Sequence, residues 1–389
     1  MPAAEPKIVD QSPSSGARVV GAERNVPYVN MAAQWAEERE ALLPIVERVL
    51  AEGHWVGGAE IAEFEAAAAR LCGVAHAVAL NSGTDALALG MAALGIGSED
   101  EVITPPNSFI ASTAAIVQLG ARPVFVDVRD DQNIDPERIE AAITDKTKAI
   151  MPVHLTGRIA DMAPIMEIAE RHGLQVVEDA AQSVGSRYDD RTSGSFGRVG
   201  CFSTHPLKNL NACGDGGFLT TDDDEIAEAV RAARNHGLVT RETVARFGQV
   251  SRMDSLQAAI LHFRLGRLDD TVRRRRANAA LYRERLDPER VFIPEDRDRE
   301  FNTYHTLVIQ VDRRDELRAF LQAQGVGTAI HYPVPIHLQP ASAGLGYRAG
   351  DFPVTARQAG RILTLPINQT LSPDDISYVA DRVNEFFKS

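Results

Sequence analysis

One lysine stands where chemistry would need it. Phe202-Ser203-Thr204-His205-Pro206-Leu207-Lys208-Asn209-Leu210 follows directly on the apolar run VGCFS (199–203) and sets Lys208 between apolar residues. An amine held there is poorly hydrated, so its pKa falls and it becomes a nucleophile able to form a Schiff base with an aldehyde cofactor. A lone lysine is otherwise a surface charge. A second group ends LQVVED (174–179), where Glu178 and Asp179 precede Ala180, Ala181 and Gln182. A carboxylate at the mouth of a buried strand requires a cation, and a pyridinium N–H would serve; a metal or a helix cap are the alternatives. No further carboxylates or histidines cluster in a metal-ligand pattern. The third group is Asn81-Ser82-Gly83-Thr84-Asp85, after HAVAL (76–80). Small and hydroxyl residues opening a helix suit a phosphate, although alone they read as an ordinary capping box. A fourth stretch, Gly214 to Gly217 before the strand FLTT, reads as a tight turn requiring positive φ.

These groups depend on the elements that carry them. Between residue 76 and about 221, short apolar strands alternate with amphipathic helices: HAVAL, a helix from Thr84 to Leu94, EVITP (101–105), a helix ending at Gly120, PVFVDV (123–128), AIMPVHL (149–155), LQVVED and VGCFS. Continuous apolar strands belong to a mostly parallel, doubly wound α/β sheet covered on both faces. Ligands collect at the carboxyl ends of such strands, which is where Ser82, Asp179 and Lys208 fall. From Arg252 the pattern loosens into helices (about 253–286), a strand at 303–311, a helix at 313–324 and a terminal helix capped by Ser372. The expected division is an extension without fixed structure (1–26), a large domain (27–251) whose first segment packs on the small domain, and a smaller α+β domain (252–389).

Composition narrows the function classes. The 389 residues carry a net charge of −13, with 44% hydrophobic and 24% charged residues. The run Arg273 to Arg276 lies among acidic residues and reads as a solvated helix face, so nucleic-acid binding is not expected. No apolar run spans a bilayer and the first residues lack a signal-peptide core. Cys72, Cys201 and Cys213 have no regular spacing and suit a reducing compartment, so a cytoplasmic enzyme is expected.

The runs NSGTDAL, SEDEVITPPNSFIAS, PVFVDV, KAIMPVHLTG, VVEDAAQSVGS, HPLKNLNACGDGG, SRMDSLQAA and HYPVPIHLQP closely resemble the DegT-like sugar aminotransferases, fold-type-I enzymes dependent on pyridoxal 5'-phosphate. The likeness runs from about Pro27 to the C-terminus. It implies Lys208 as the Schiff-base lysine and proton carrier, Asp179 on the pyridine nitrogen and Gln182 on the ring hydroxyl. It implies that Ser82, Gly83, Thr84 and Ser203 hold the phosphate. Phe109 lies where the family stacks an aromatic ring on the pyridine, with core packing as the alternative. His331 and His337 match a segment near the substrate channel, with a structural histidine as the alternative for at least one. The implied partners are an amino-acid donor such as L-glutamate, a keto sugar linked to a nucleotide, and a second subunit completing the site in a homodimer.

Three positions depart from the family pattern. Val250 matches an Asn that reaches the neighbouring subunit's cofactor phosphate, and Gln249 or Arg252 are candidate substitutes. His205 replaces a frequent aromatic residue, and Asn211 a frequent glycine. Other reactions on this fold remain as alternatives: action on a cyclitol or sugar phosphate, formation of an aminohydroxybenzoate, or sugar dehydration. The intact Lys208 opposes dehydration, because the similar dehydratases carry His there. A non-catalytic regulatory protein and a dinucleotide-binding fold are the remaining readings; no G-x-G-x-x-G follows the first strand, which sets the latter aside.

Overall fold

The computed structural model describes residues 24–388. Seven strands form the main sheet: β1 (His76–Leu80), β2 (Glu101–Thr104), β3 (Arg122–Phe125), β4 (Thr147–Ile150), β5 (Gln175–Asp179), β6 (Val199–Ser203) and β7 (Gly217–Thr221). Their order is β1-β7-β6-β5-β4-β2-β3. All run parallel except β7, which is antiparallel to both of its neighbours. Its start therefore lies at the same sheet edge as the ends of β1 and β6.

Eleven helices are described: α1 (Met31–Glu52), α2 (Ala59–Cys72), α3 (Gly83–Ala93), α4 (Ile110–Gln118), α5 (Met162–His172), α6 (Asp224–Ala233), α7 (Ser255–Leu265), α8 (Leu268–Arg285), α9 (Arg314–Ala323), α10 (Pro353–Ala359) and α11 (Pro373–Phe386). Strand period two explains how both sheet faces become apolar. Val78 and Leu80 of β1 join Leu87 and Met91 of α3 on one face, while Ala77 and Ala79 join Phe64 of α2 and Leu261 of α7 on the other. Phe202 and Phe218 stack on that second face, ring centroids 4.4 Å apart.

A separate core gathers Tyr282 of α8, Leu317 and Leu321 of α9 and Ile376 and Val379 of α11 around a two-stranded sheet, β8 (Leu307–Gln310) with β9 (Ile362–Leu365). The helix expected to open the smaller domain, α7, instead packs beneath the large sheet with α2. The strand expected over 303–311 is confined to β8, because the backbone of Thr303 and Thr306 bonds to Gly157 and Thr156. Ser372 and Asp375 close the expected cap of α11 as a reciprocal capping box.

Most of the expected N-terminal extension, residues 1–23, lies outside the described residues. Its last residues are ordered, contrary to expectation. Val26 is fully buried in the smaller core and bridges Val326, while Arg24 pairs with Asp375 at 2.6 Å. Among the described residues, no helix is long and apolar enough to cross a membrane and no cluster of His, Cys, Asp and Glu could hold a metal ion.

Candidate active site

The turn from β1 into α3 is capped by Ser82, whose Oγ accepts from Asp85 N at 3.1 Å. Sequence suggested that cap; tertiary packing makes it more. A Cβ on Gly83 would lie 2.7 Å from the Ser203 Cβ, and one on Gly217 would lie 2.4 Å from the Ser82 carbonyl carbon. The α3 N-terminus is thus pressed against the end of β6 and the start of β7, with its free N–H groups facing a cavity. This corrects the reading of Gly214 to Gly217. None of these three glycines has positive φ; Gly216 and Gly217 are required because a side chain would collide with Thr204 and Ser82.

Glu178 and Asp179 diverge because successive strand residues point to opposite faces. Glu178 is fully buried against His154 Nε2 at 2.9 Å and accepts from the backbone N–H groups of Gly194, Phe196 and Gly197. It is a structural anchor. Asp179 faces the cavity, accepting from Ser112 Oγ at 2.6 Å and Ala181 N at 3.2 Å. Burial raises its carboxyl pKa, opposed by the Ser112 hydroxyl, the Ala181 N–H and the Lys208 charge.

Lys208 lies in the turn after β6, its backbone N–H bonded to the His205 carbonyl. Burial lowers its amine to a pKa of about 8, and Asp179 works against that shift. Among the described residues no hydrogen bond or ion pair holds the amine. Asn211 ties this turn to α1. Its amide exchanges hydrogen bonds with Gln34 of α1 at 3.0 and 3.1 Å and donates to the Pro206 carbonyl at 2.9 Å.

These groups face one cavity of about 890 Å³. Ser82, Gly83, Thr84 and Ser203 line it, as do Asp179, Gln182 and Lys208. Gln182 Oε1 accepts from Thr156 N at 2.8 Å, which orients the side chain. Phe109 is half exposed inside this space, its ring 5.7 Å from that of Tyr332, so core packing does not describe it. His331 also lines the cavity, with Nδ1 2.9 Å from Thr364 Oγ1, and burial lowers its pKa to about 4. An aldehyde cofactor with a phosphate at one end and a pyridine nitrogen at the other fits this donor set: small residues and N–H groups in the cradle, a buried carboxylate with no ion-pair partner among the described residues, and an amine whose pKa burial lowers to about 8.

A model of the DegT/DnrJ/EryC1/StrS aminotransferase family matches residues 36–384. The chain belongs to this family. It is similar to the dTDP-3-amino-3,4,6-trideoxy-alpha-D-glucose transaminase of Streptomyces venezuelae, 42% identical over 93% of this chain and 96% of that one. A pleiotropic regulatory protein of Geobacillus stearothermophilus is 39% identical over 94% and 99% of the two chains. Among solved structures, S. venezuelae DesV in complex with a ketimine intermediate superposes with a TM-score of 0.92 at 42% identity, covering 94% of this chain and 99% of that one. NtdA of Bacillus subtilis with bound cofactor PMP gives 0.87 at 31% identity, covering 94% and 86%. This DegT-family chain is a pyridoxal-phosphate-dependent aminotransferase.

Not every expected residue of the DegT-family member reaches its cavity. His337 is 3% exposed and packs edge-on to Phe352 at 4.7 Å, against a separate apolar cluster of Phe125, Ile336 and Phe352. Among the described residues its two ring nitrogens have no hydrogen-bond partner, and it does not line the cavity. The short helical turn Ile336–Leu338 rotates it inward. Val250 is exposed, and neither candidate substitute is free: Gln249 donates to Asp85 and Arg252 to Asn235, both at 2.8 Å. The basic run Arg273 to Arg276 is not one solvated face. Arg273 is exposed and Arg274 partly so, but Arg275 is buried and lines the cavity, as do Tyr28, His305 and Tyr332, which sequence reasoning also missed. Tyr332 adjoins His331 in the quoted HYP segment, so a signal existed for it; the run of four arginines contained none for Arg275.

Gly217→Ala tests the cradle directly. The added carbon overlaps backbone atoms that cannot yield, so stability should fall by about 1–3 kcal/mol and pyridoxal phosphate retention should drop. Thermal melting and bound-cofactor absorbance check both. Full occupancy in the variant would detach the glycine from phosphate binding.

Proposed function

We propose that this aminotransferase moves an amino group from an amino acid, L-glutamate in the first instance, to a keto sugar carried on a nucleotide. The observation that carries the reading is the convergence of Lys208 and Asp179 in one cavity beside the Ser82–Thr84 turn. Sugar transaminases among the relatives support the acceptor class.

Pyridoxal phosphate, when bound, supplies an aldehyde that takes up amines and a ring that accepts the electron pair left by a broken α C–H bond. Ser82, Gly83, Thr84 and Ser203 would hold its phosphate, Asp179 its ring nitrogen and Gln182 its ring hydroxyl. Phe109 would cover one ring face. Asp179, held by Ser112 and Ala181, would offer its negative charge to that nitrogen and favour its protonated form. Lys208 Nζ would hold the aldehyde as a Schiff base and, when free, would be the group that takes up and returns the proton of the donor's Cα. An amine with a pKa near 8 holds and gives up that proton readily near neutral pH. His331, kept neutral by burial, lines the same cavity and is the histidine available to a substrate there.

The assembly we infer is a homodimer. Trp55, Val56, Val239, Val244 and Phe247 are exposed apolar residues that a second copy would cover, and Val250 lies on the same segment as Phe247. Hydrophobic contact at Val250 then takes the place of a hydrogen bond to the partner's site. We further propose a smaller unit built around α8, α9 and α11, and a reducing cytoplasmic setting, which suits three free cysteines.

A regulatory role is the second reading, prompted by the name of the G. stearothermophilus relative. One experiment separates the two. The purified protein is mixed with pyridoxal phosphate, its visible spectrum recorded, and L-glutamate added. The enzyme reading expects a band that borohydride fixes on Lys208 and that glutamate converts to the pyridoxamine form. A bound cofactor that no amino acid converts would favour the regulatory reading.

A further inference from the structure

A second group of arginines lies outside the active-site cavity. On α8, Leu268, Val272 and Arg276 recur every four residues, with Asp269 and Arg273 in the row beside them. These rows meet a small three-stranded sheet in which Arg187–Tyr188 lies between Glu300–Phe301 and Arg191–Thr192. Phe301, Arg187 and Thr192 stand opposite one another in its register, so their side chains share one face. Between that face, α8 and Leu71 of α2 is a groove of about 440 Å³ that shares no lining residue with the active-site cavity. Leu71 is roughly 18 Å along α2 from Ala59, and Trp55 and Val56 of the inferred subunit contact lie beyond Ala59.

Arg187 and Arg276 both stack on the Phe301 ring, each Cζ 4.2 Å from its centroid. The two cations are therefore no further apart than twice that distance, and they repel. Tyr378 also carries two arginines, but there each has a carboxylate: Arg24 has Asp375 at 2.6 Å and Arg382 has Glu385 at 2.8 Å. Among the described residues neither Arg187 nor Arg276 has an ion-pair partner. Arg187 uses none of its N–H groups, and Arg276 only Nη1, which donates to the Asn302 carbonyl at 2.8 Å. The third guanidinium, Arg273, pairs with Asp270, and the one carboxylate in the lining is Asp269. Two cations held this close with free N–H groups favour an anion between them. A phosphate presents oxygens in tetrahedral directions, so two guanidiniums can each bind a pair of them; a carboxylate has two oxygens in one plane. The apolar part of the lining, Leu71, Leu268, Val272 and Phe301, suits an organic body better than a free ion. We propose that this groove binds a small organic phosphate, its phosphate between Arg187 and Arg276 and its body on the apolar floor. The site is separate from the aminotransferase chemistry and does not depend on that reading.

Phenyl phosphate is the probe, titrated calorimetrically into the full chain before and after pyridoxal phosphate has been fixed on Lys208 by borohydride. One site should persist after fixing, when the cradle at Ser82 is filled. Its affinity should fall about 10- to 100-fold in Arg187→Ala and in Arg276→Gln, the range for losing charge-assisted hydrogen bonds. Arg187 is exposed and makes no hydrogen bond, so Arg187→Ala should keep its melting temperature, cofactor content and turnover, and it carries the test alone if Arg276→Gln does not fold. Inorganic phosphate should bind about tenfold more weakly than phenyl phosphate, because it leaves the apolar floor unused. Benzoate, with the same ring on a carboxylate, should also bind more weakly. A probe that binds only before fixing would belong to the cofactor's cradle and overturn the proposal. Unchanged affinity in Arg187→Ala, or no binding by the wild-type protein, would overturn it too. Benzoate bound as tightly as phenyl phosphate would overturn the assignment to phosphate, and inorganic phosphate bound as tightly would overturn the apolar floor.

Discussion

Lys208→Ala is expected to abolish transamination, by about 10⁴-fold or more, while leaving the fold intact. Positioned acid–base groups contribute about 10²–10⁴ in rate, and Lys208 is proposed to serve as nucleophile as well. No hydrogen bond or ion pair ties the amine to the scaffold, so its removal leaves no buried group stranded. The sign of the stability effect follows from linkage. Folded Lys208 titrates near 8 against an ordinary value of 10.5, so between these values the unfolded chain binds more protons. Wild-type apoprotein therefore loses stability as pH falls from about 10.5 to about 8, and the deficit stays constant below. Apo Lys208→Ala should melt higher than apo wild type at neutral pH, with the two converging above about 10.5. The same titration predicts that cofactor uptake by wild type accelerates about tenfold per pH unit up to about 8 and then levels, because only the neutral amine attacks. Stopped-flow absorbance gives that profile. A variant that still turns over at the wild-type rate would move the chemistry to another residue.

Asp179→Asn has the second largest expected effect, a loss of about 10²–10³-fold in the donor half-reaction, the scale of removing one preorganised electrostatic group. The amide has nearly the shape of the carboxylate and can still bond to Ser112, so thermal stability should change little. What disappears is the negative charge that would keep a ring nitrogen protonated. A second readout separates this from general damage. Asp179 is the group that holds the Lys208 pKa up against burial, so in Asp179→Asn the uptake profile should shift to lower pH. An unchanged rate would place the pyridinium partner elsewhere, and an unchanged profile would deny that the two charges communicate.

Much of the site was legible in sequence because its parts are local. A hydroxyl-and-glycine turn after HAVAL, an acid ending LQVVED and a lysine just past VGCFS each announce themselves by position at a strand end, and the parallel sheet aligns those ends on one edge. That much follows from strand periodicity and the burial of both sheet faces. Sequence by itself therefore determined the α/β class, the order of the strands along the chain, and the candidacy of Lys208, Asp179, Gln182 and the Ser82 turn.

Tertiary structure alone decided which neighbours do which work. Adjacent acids separated by strand alternation became an anchor, Glu178, and a cavity group, Asp179. Four consecutive arginines on α8 divided, because a helix turns about 100° per residue and only Arg275 faces the cavity. His337, six residues after His331, was turned by a short helix against a separate apolar cluster. The glycines before FLTT answered to the α3 turn pressed against them, a contact between segments more than 130 residues apart that no local pattern encodes. Residues meeting across such distances are matched by packing, and packing is settled only when the sheet and its helices close on each other.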